Sequence, residues 1–232
     1  MNTKAIVLFS GGQDSATCLA QALSDFPSAV EAITFDYGQR HRIEIIQAQK
    51  IAKIANVSLK IIDLSLISQL TKSALTHINI IIEHKEGELP STFVPGRNHL
   101  FLSVAAIMAY QKNCTHIYTG VCQTDYSGYP DCREDFIKSL ETTLNLAMSR
   151  PIQIHTPLMH LTKAETISLM KKLGRLEWYK ETHTCYEGVR PACGQCPACQ
   201  LRLKGFKEAG VQDPLEYFGT ATDLVCDDPL KS

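Results

Sequence analysis

An apolar run that passes directly into a glycine- and serine-rich loop is the feature that most constrains the fold of this chain. Ala5-Ile6-Val7-Leu8-Phe9 predicts a buried strand, Ser10-Gly11-Gly12-Gln13-Asp14-Ser15 follows without a gap, and Ala16 to Leu23 predicts a helix. The first N–H groups of a helix have no partner within it, and the helix dipole adds partial positive charge there. Strand, loop and helix therefore predict a site for an anion such as phosphate.

Each residue type in the loop suits that site. The glycines permit positive φ and close approach of a ligand to the backbone, and Ser10 and Ser15 supply hydroxyl donors. Asp14 is interpreted as a group that holds Mg²⁺ or orders the loop. A glycine-rich turn without a ligand is the alternative. The candidate nucleotide-binding residues are Leu8, Phe9, Ser10, Gly11, Gly12, Gln13, Asp14, Ser15, Ala16, Thr17, Cys18 and Arg97.

The loop lacks the lysine of a P-loop and the third glycine of a dinucleotide fingerprint. It resembles instead the PP-loop, SGGxDS, of the N-type ATP pyrophosphatase superfamily. That resemblance implies ATP as a substrate, with the β- and γ-phosphates held by the loop. It also implies cleavage between the α- and β-phosphates and activation of a substrate oxygen as its adenylate.

Strand-like and helix-like segments alternate along the rest of the chain. Strands are predicted at 29–35, 57–64, 116–119 and 152–155, and helices at 42–55, 98–111, 131–148, 163–173 and 198–209. This order predicts a doubly wound, mostly parallel α/β sheet with ligands at the carboxyl ends of the strands, similar to the adenine nucleotide alpha hydrolase fold. The second helix is expected to bury Ile43, Ile46, Ile51 and Ile54, whereas 65–92 is expected to be partly irregular. We predict an ATP-binding domain over 1–175 and a zinc-binding subdomain over 176–232.

Composition narrows the class of partner. A formal net charge of −1 gives no basic field for nucleic acid, and no apolar run approaches the length of a membrane span. The first predicted strand leaves no room for a signal peptide, so a cytoplasmic protein is expected. We therefore expect a small-molecule substrate, with neither nucleic acid nor membrane as partner.

Four of the nine cysteines lie within fifteen residues. Cys185, Cys193, Cys196 and Cys199 have gaps of seven, two and two residues, and short gaps let successive thiolates converge on one tetrahedral ion. Four sulfurs leave no open position, so a structural Zn²⁺ site is predicted. An iron–sulfur cluster and a set of reduced thiols are the alternatives.

Several polar segments are predicted to meet the phosphate loop at one sheet edge. Tyr37, Gln39 and Arg40 follow the second strand, although a turn capping the next helix would have the same pattern. Arg97, at a helix N-terminus, and Lys163 suit a triphosphate, or are solvated charges. In the loop 120–133, aromatic rings could stack on a planar heterocycle, Asp131 could accept from a guanine-like N1–H and amino group, and Arg133 could pair with a carboxylate; an ordinary loop is the alternative. Candidate substrate residues here are Asp125, Tyr126, Tyr129, Asp131 and Arg133.

SGGQDS, FDYGQRH, VPGRN, DYSGYPDCR and the four-cysteine array, in this order, resemble the 7-cyano-7-deazaguanine synthases of queuosine biosynthesis. The resemblance implies conversion of 7-carboxy-7-deazaguanine, ammonia and ATP into the nitrile, together with Zn²⁺, Mg²⁺ and a homodimer. Ser10, Asp14, Ser15, Arg97 and Lys163 are the candidate catalytic residues.

Three other functions are compatible with the loop. An enzyme that adenylates tRNA would need a basic surface or an RNA-binding domain, and neither is evident. An amidotransferase-type synthetase would have to use free ammonia. A zinc-containing interaction module would use the nucleotide only as a switch.

Overall fold

A computed structural model describes residues 3–83, 88–124 and 129–218. Five strands form one wholly parallel sheet in the order β3-β2-β1-β4-β5. Their bounds are β1 Ala5–Leu8, β2 Val30–Asp36, β3 Ser58–Asp63, β4 His116–Tyr118 and β5 Gln153–His155. The predicted parallel α/β fold is confirmed.

Seven α-helices cover the sheet within the described ranges. They are α1 Gln13–Asp25, α2 Ile43–Ile54, α3 Leu66–Leu70, α4 Arg97–Gln111, α5 Glu134–Met148, α6 Lys163–Lys172 and α7 Pro197–Glu208. Helix α6 begins with a complete capping box, because the Thr162 hydroxyl accepts from the Glu165 N–H and the Glu165 carboxylate accepts from the Thr162 N–H. No helix in these ranges is long and apolar enough to cross a membrane.

Side chains of β1 alternate between two apolar cores. Ile6 and Leu8 pack with α4 and α5, whereas Ala5 and Val7 pack with α1 and α6 on the opposite face. Both faces of the sheet are therefore covered, and this explains why its central strand is a continuous apolar run.

Two details of the predicted helices are wrong. Ile46 and Ile54 are more than half exposed, because α2 buries the face that carries Ile45, Ala48 and Ala52 instead. Asp131 does not begin a long helix: it lies in a 3₁₀ turn, Pro130–Cys132, and α5 begins at Glu134. The segment after β3 contains the short helix α3, which the sequence did not predict.

The strand order reverses between β1 and β4. The chain winds outward to β3 and then returns to place β4 on the other side of β1. Parallel sheets of this kind have a crevice outside the carboxyl ends of the strands at such a switch point. The glycine-rich loop follows β1 and therefore lies beside that crevice.

Residues after α6 pack on the face that holds α1. A 3₁₀ helix, Leu176–Glu181, and α7 contribute Trp178, Tyr179 and Phe206 to the same core cluster as Leu19 and Ile167. A third, small cluster includes Cys185, Cys199 and Leu215. The predicted domain boundary at residue 175 stays a prediction.

Candidate functional site

The glycine-rich loop is held by its own serines. Ser10 Oγ lies 3.1 Å from Ser15 Oγ and accepts from the Gly12 N–H at 3.3 Å. Ser15 Oγ donates to the Gly12 carbonyl at 3.1 Å. Gly12 is the N-cap of α1 and offers no side chain to the first turn of the helix, so the N–H groups there are not capped by the residue that begins it. The predicted arrangement of strand, loop and helix N-terminus is present.

Gly11 meets two requirements that other residues would not. Its φ of +84° lies in the left-handed region, and a Cβ there would be 2.4 Å from the Glu44 carbonyl oxygen and 2.8 Å from the Ala48 nitrogen. The loop therefore touches the backbone of α2. Gly120, directly beyond β4, makes a similar approach, since a Cβ on it would be 3.0 Å from the Asp14 carbonyl carbon.

Lys163 and Asp14 form an ion pair between the first turns of α6 and α1. Lys163 Nζ donates to both carboxylate oxygens of Asp14, at 2.8 and 2.9 Å, and Lys163 is buried. Gly205 of α7 makes room for it, because a Cβ at that position would be 2.4 Å from Lys163 Cγ. Lys163, predicted to contact phosphate, contacts the loop carboxylate in this structure, which orders Asp14 and offsets its charge beside the predicted anion site.

A cavity of about 610 Å³ opens beside the loop, at the switch point. Its lining combines sequence-predicted residues from the loop, the turn after β2, the segment after β4 and the start of α6. These are Leu8, Phe9, Ser10, Gly12, Gln13, Asp14, Ser15, Tyr37, Gln39, Tyr129 and Lys163. Ala16, Thr17 and Cys18 are instead buried in the core beneath the loop.

Arg97 lies close to two aromatic rings. Its guanidinium carbon is 5.8 Å from the ring centroids of both Tyr37 and Tyr129. Burial lowers the pKa of Arg97, but the neighbouring Tyr37, Tyr129 and Asp131 outweigh that effect, so its pKa stays above the ordinary value. Burial also raises the pKa of Tyr37 to about 12. The pair of rings therefore faces a permanent positive charge.

Other predicted substrate residues have structural partners or lie elsewhere. The Gln39 amide bonds to the Tyr37 N–H and the Phe35 carbonyl, so it shapes the turn after β2. The Asp131 carboxylate accepts from the Asn98 N–H at 3.0 Å and so caps the first turn of α4. Arg40 lines a separate cavity of about 250 Å³, and Arg133 is exposed outside the main cavity. Asp125 and Tyr126 lie outside the described residues.

The structure adds cavity residues that the sequence analysis missed. Glu44 lines the cavity from the first turn of α2, and burial, opposed by Arg97, raises its pKa to about 7. Cys122 and Cys132, in the predicted loop 120–133, also line the cavity, and the other missed lining residues include Phe101, His183, Thr184 and Tyr186. Their local pattern is that of ordinary helix starts and loops. They are distant from the glycine-rich loop in the sequence, so their position along the chain does not indicate that they lie beside it.

The four predicted cysteines converge. The Sγ atoms of Cys185, Cys193, Cys196 and Cys199 all lie within 4.8 Å of one another, and the pair Cys193–Cys199 is 3.9 Å apart. Four sulfurs at about 2.3 Å from one tetrahedral Zn²⁺ would be about 3.8 Å apart, so these thiols fit the ion. Backbone N–H groups point at the sulfurs, as those of Cys193 and Cys196 do at 3.4 and 3.3 Å.

The cysteine segment is joined to the glycine-rich loop. The His183 N–H donates to the Gly11 carbonyl at 3.0 Å, and the Tyr179 hydroxyl lies 2.6 Å from that of Thr17 in α1. Arg202 in α7 forms a buried ion pair with Asp213 at 2.7 Å and also donates to the Tyr179 carbonyl. A continuous set of hydrogen bonds therefore runs from the segment around the cysteines to the first helix.

Fold and site together define a doubly wound α/β protein with a glycine-rich loop and a helix N-terminus at its switch point, and with a carboxyl-terminal four-cysteine cluster that could hold a metal. More specifically, the chain belongs to the family described as queuosine biosynthesis protein QueC, whose model matches residues 4–210. The resemblance to that family on the sequence motifs is thereby confirmed.

Known proteins provide a close relative and weaker structural likenesses. The chain is 57% identical over 207 residues to the 7-cyano-7-deazaguanine synthase of Bacillus subtilis (strain 168), covering 88% of this chain and 94% of that protein. It is similar to the NH3-dependent NAD synthetase from Campylobacter jejuni in complex with nitrate, with a TM-score of 0.45, 16% identity and coverage of 74% and 64% of the two chains. It is also similar to the U34-tRNA thiolase NcsA from Methanococcus maripaludis with its [4Fe-4S] cluster, with a TM-score of 0.45, 13% identity and coverage of 89% and 65%.

Proposed function

We propose that this chain is an ATP-dependent carbon–nitrogen ligase that converts 7-carboxy-7-deazaguanine and ammonia into 7-cyano-7-deazaguanine in queuosine biosynthesis. The observation that carries the proposal is its 57% identity to the Bacillus subtilis synthase over nearly the whole of both chains. The cavity beside the loop supports it, because one space adjoins both an anion site and an aromatic wall.

Activation of the carboxylate is the first chemical problem. A carboxylate is a poor electrophile, so its oxygen must first be converted into a good leaving group. The loop from Ser10 to Ser15 would hold the β- and γ-phosphates while the substrate oxygen attacks the α-phosphorus and pyrophosphate leaves. Arg97 lies near the same cavity and would stabilise the charge that develops. Only interactions that are stronger in the transition state than in the ground state accelerate a reaction, so the proposed acceleration comes from stabilisation of the developing charge.

Ammonia then displaces AMP and gives an amide. A second activation, now of the amide oxygen, followed by loss of that oxygen gives the nitrile. In each dehydration a substrate oxygen attacks the α-phosphorus of ATP and later leaves as part of AMP. One site can therefore perform both. The rings of Tyr37 and Tyr129, which flank Arg97, would stack on the deazaguanine in each step.

Two metals are part of the proposal. The four cysteine thiolates would fill the coordination shell of a structural Zn²⁺ and so stabilise the carboxyl-terminal segment. Mg²⁺ would offset the charge of the pyrophosphate, with Asp14 as the candidate ligand, since each carboxylate oxygen bonded to Lys163 keeps a lone pair. We further propose a cytoplasmic homodimer that binds neither nucleic acid nor membrane.

Direct product analysis tests the activity. The purified protein is incubated with ATP, ammonium and 7-carboxy-7-deazaguanine, the nitrile is measured by mass spectrometry, and AMP is separated from ADP. We expect nitrile only when all three substrates are present, and a large loss of turnover in Ser10→Ala. Ser168→Ala is the matched control, because this exposed serine donates to the Ala164 carbonyl within α6 and does not line the cavity. No nitrile, or full turnover in Ser10→Ala, would refute the proposal.

A further inference from the structure

Glu44 is the unexplained carboxyl group of the cavity. It is the second residue of α2, and its side chain is partly buried in the cavity wall. Within 3–83, 88–124 and 129–218 its carboxyl group makes no hydrogen bond or ion pair. Its backbone touches the glycine-rich loop, because the Glu44 carbonyl oxygen occupies the space where a Cβ on Gly11 would lie.

The other two carboxyl groups that line the cavity are placed differently. Asp14 is held by both its oxygens to Lys163, and Glu83 is exposed to solvent. Asp131, which was predicted to bind the substrate, caps α4. Glu44 is therefore partly buried, lines the cavity and has no hydrogen-bond or ion-pair partner for its carboxylate among the described residues. Asp14, Glu83 and Asp131 do not combine these three properties.

Three elements place a charged or titratable group near Glu44. They are Arg97 at the start of α4, Tyr37 in the turn after β2 and Tyr186 in the cysteine segment. Burial raises the pKa of Glu44 to about 7, and the positive charge of Arg97 limits that rise. The carboxyl group is thus a much stronger base than an exposed glutamate while still ionised in a large fraction of molecules near neutral pH.

Ammonia presents a protonation problem that such a group solves. Near neutral pH almost all ammonia in water is ammonium, which has no lone pair with which to attack an acyl carbon. A base inside the cavity, beside the loop where the acyl adenylate forms, would release the nucleophile at the point of use. A base whose pKa lies near the working pH is the most effective for such a transfer.

We propose that Glu44 is the catalytic base that deprotonates ammonium in the cavity, an inference that rests on the proposed function. The Glu44 carboxylate takes one proton from ammonium, and the freed nitrogen lone pair forms the C–N bond to the acyl carbon. The bond from that carbon to the AMP oxygen breaks, and AMP leaves with the electron pair. A second proton passes from nitrogen to solvent, which leaves the neutral amide.

Separating activation of the carboxylate from attack by nitrogen tests the assignment. Exchange of labelled pyrophosphate into ATP, measured with 7-carboxy-7-deazaguanine and no nitrogen source, reports adenylation alone. Hydroxylamine is uncharged at neutral pH and needs no base before it attacks, so hydroxamate formation reports a reaction that bypasses Glu44. Glu44→Gln keeps the size of the side chain and removes the base.

We expect Glu44→Gln to retain exchange and hydroxamate formation while its ammonium-dependent nitrile formation falls by about 100-fold or more, the usual contribution of a general base. In the unsubstituted protein, kcat with saturating ammonium should decrease as the pH is lowered through about 7. Hydroxamate formation should not show this decrease. Glu177→Gln, an exposed glutamate outside the cavity, is the matched control and should leave all three reactions unchanged. A single cooperative thermal transition in each variant, with a Tm no lower than that of the unsubstituted protein, would show that both are folded.

Two results would overturn the assignment. One is unchanged nitrile formation from ammonium in Glu44→Gln. The other is an equal loss with hydroxylamine together with a raised KM for the deazaguanine, which would show that Glu44 binds the heterocycle. If the unsubstituted protein showed no exchange, the proposed function itself would fail, and that outcome is distinct from both.

Discussion

Removal of the Arg202 guanidinium tests how the carboxyl-terminal segment is attached. Arg202 is completely buried, and it donates to both oxygens of Asp213, to the Thr182 hydroxyl and to the Tyr179 carbonyl. Arg202→Met keeps much of the apolar stem and removes all four hydrogen bonds. The Asp213 carboxylate, only 6% exposed, then remains buried without its cation.

The structure sets the magnitude of the loss. Removing one partner of a buried ion pair costs about 3–5 kcal/mol, because the remaining charge is uncompensated. Asp213 would keep two donors, the Tyr217 hydroxyl at 2.6 Å and the Leu215 N–H at 3.0 Å, so we expect the lower end of that range. At about 2–4 °C per kcal/mol for a chain of this size, a loss of about 3 kcal/mol lowers Tm by roughly 6–12 °C.

Thermal unfolding followed by circular dichroism measures this loss at fixed protein and Zn²⁺ concentrations. Lys204→Met is the control on the same helix, since the Lys204–Glu208 pair is largely exposed and should contribute no more than about 0.5 kcal/mol. A double variant, Arg202→Met with Asp213→Asn, should recover part of the loss because it removes the stranded charge. If Arg202→Met were no less stable than Lys204→Met, the reasoning from burial would be wrong.

Three further predictions concern the loop, the metal and pH. Gly205→Ala should lower Tm and ATP-dependent turnover, although alanine favours a helix by about 1 kcal/mol, because its Cβ would displace the Lys163 side chain from Asp14; a raised Tm with full turnover would contradict the contact. Removing metal with a chelator should release one Zn²⁺ per chain, measured with a colorimetric indicator, and lower Tm, whereas release of iron or of no metal would refute the zinc assignment. The pKa of Glu44 is raised from 4.5 to about 7 in the folded state, so between these values the folded state binds more protons than the unfolded state. The contribution of Glu44 to the free energy of unfolding therefore falls as pH rises through this interval. The Tm advantage of Glu44→Gln over the unsubstituted protein should therefore grow from about pH 5 to about pH 8, and a constant difference would show that the carboxyl group is not desolvated.

The sequence predicted the sheet well because its strands are defined locally. β1 is a run of apolar residues that ends in the glycine-rich loop, and the alternation of strands and helices permits few topologies. The cysteine cluster was equally accessible, since the short gaps in the chain bring its ligands together by themselves. For both features, the residues that matter are neighbours in sequence.

The rest of the cavity could not be predicted because its contacts join distant residues. Nothing near Lys163 in the sequence indicates that it meets Asp14, and nothing near Asp131 indicates that it accepts from the Asn98 N–H rather than from a substrate. Two neighbours in the turn after β2 also differ, since Gln39 lines the main cavity and Arg40 lines a separate one. Glu44 was missed because one acidic residue in the first turn of a helix is ordinary helix chemistry.

The ion pair between Asp14 and Lys163 joins two residues that are made at very different times during synthesis. The two residues are 149 positions apart, and Gly205, which makes room for the lysine, is made later still. At about 5–20 residues per second, a ribosome needs roughly 7–30 s after making Asp14 to reach its partner. The glycine-rich loop is therefore made among the first segments, whereas the ion pair that holds its Asp14 can form only after most of the chain has been made. A chain truncated before α7 would therefore carry the complete loop motif but not the helix that keeps Lys163 in place beside it.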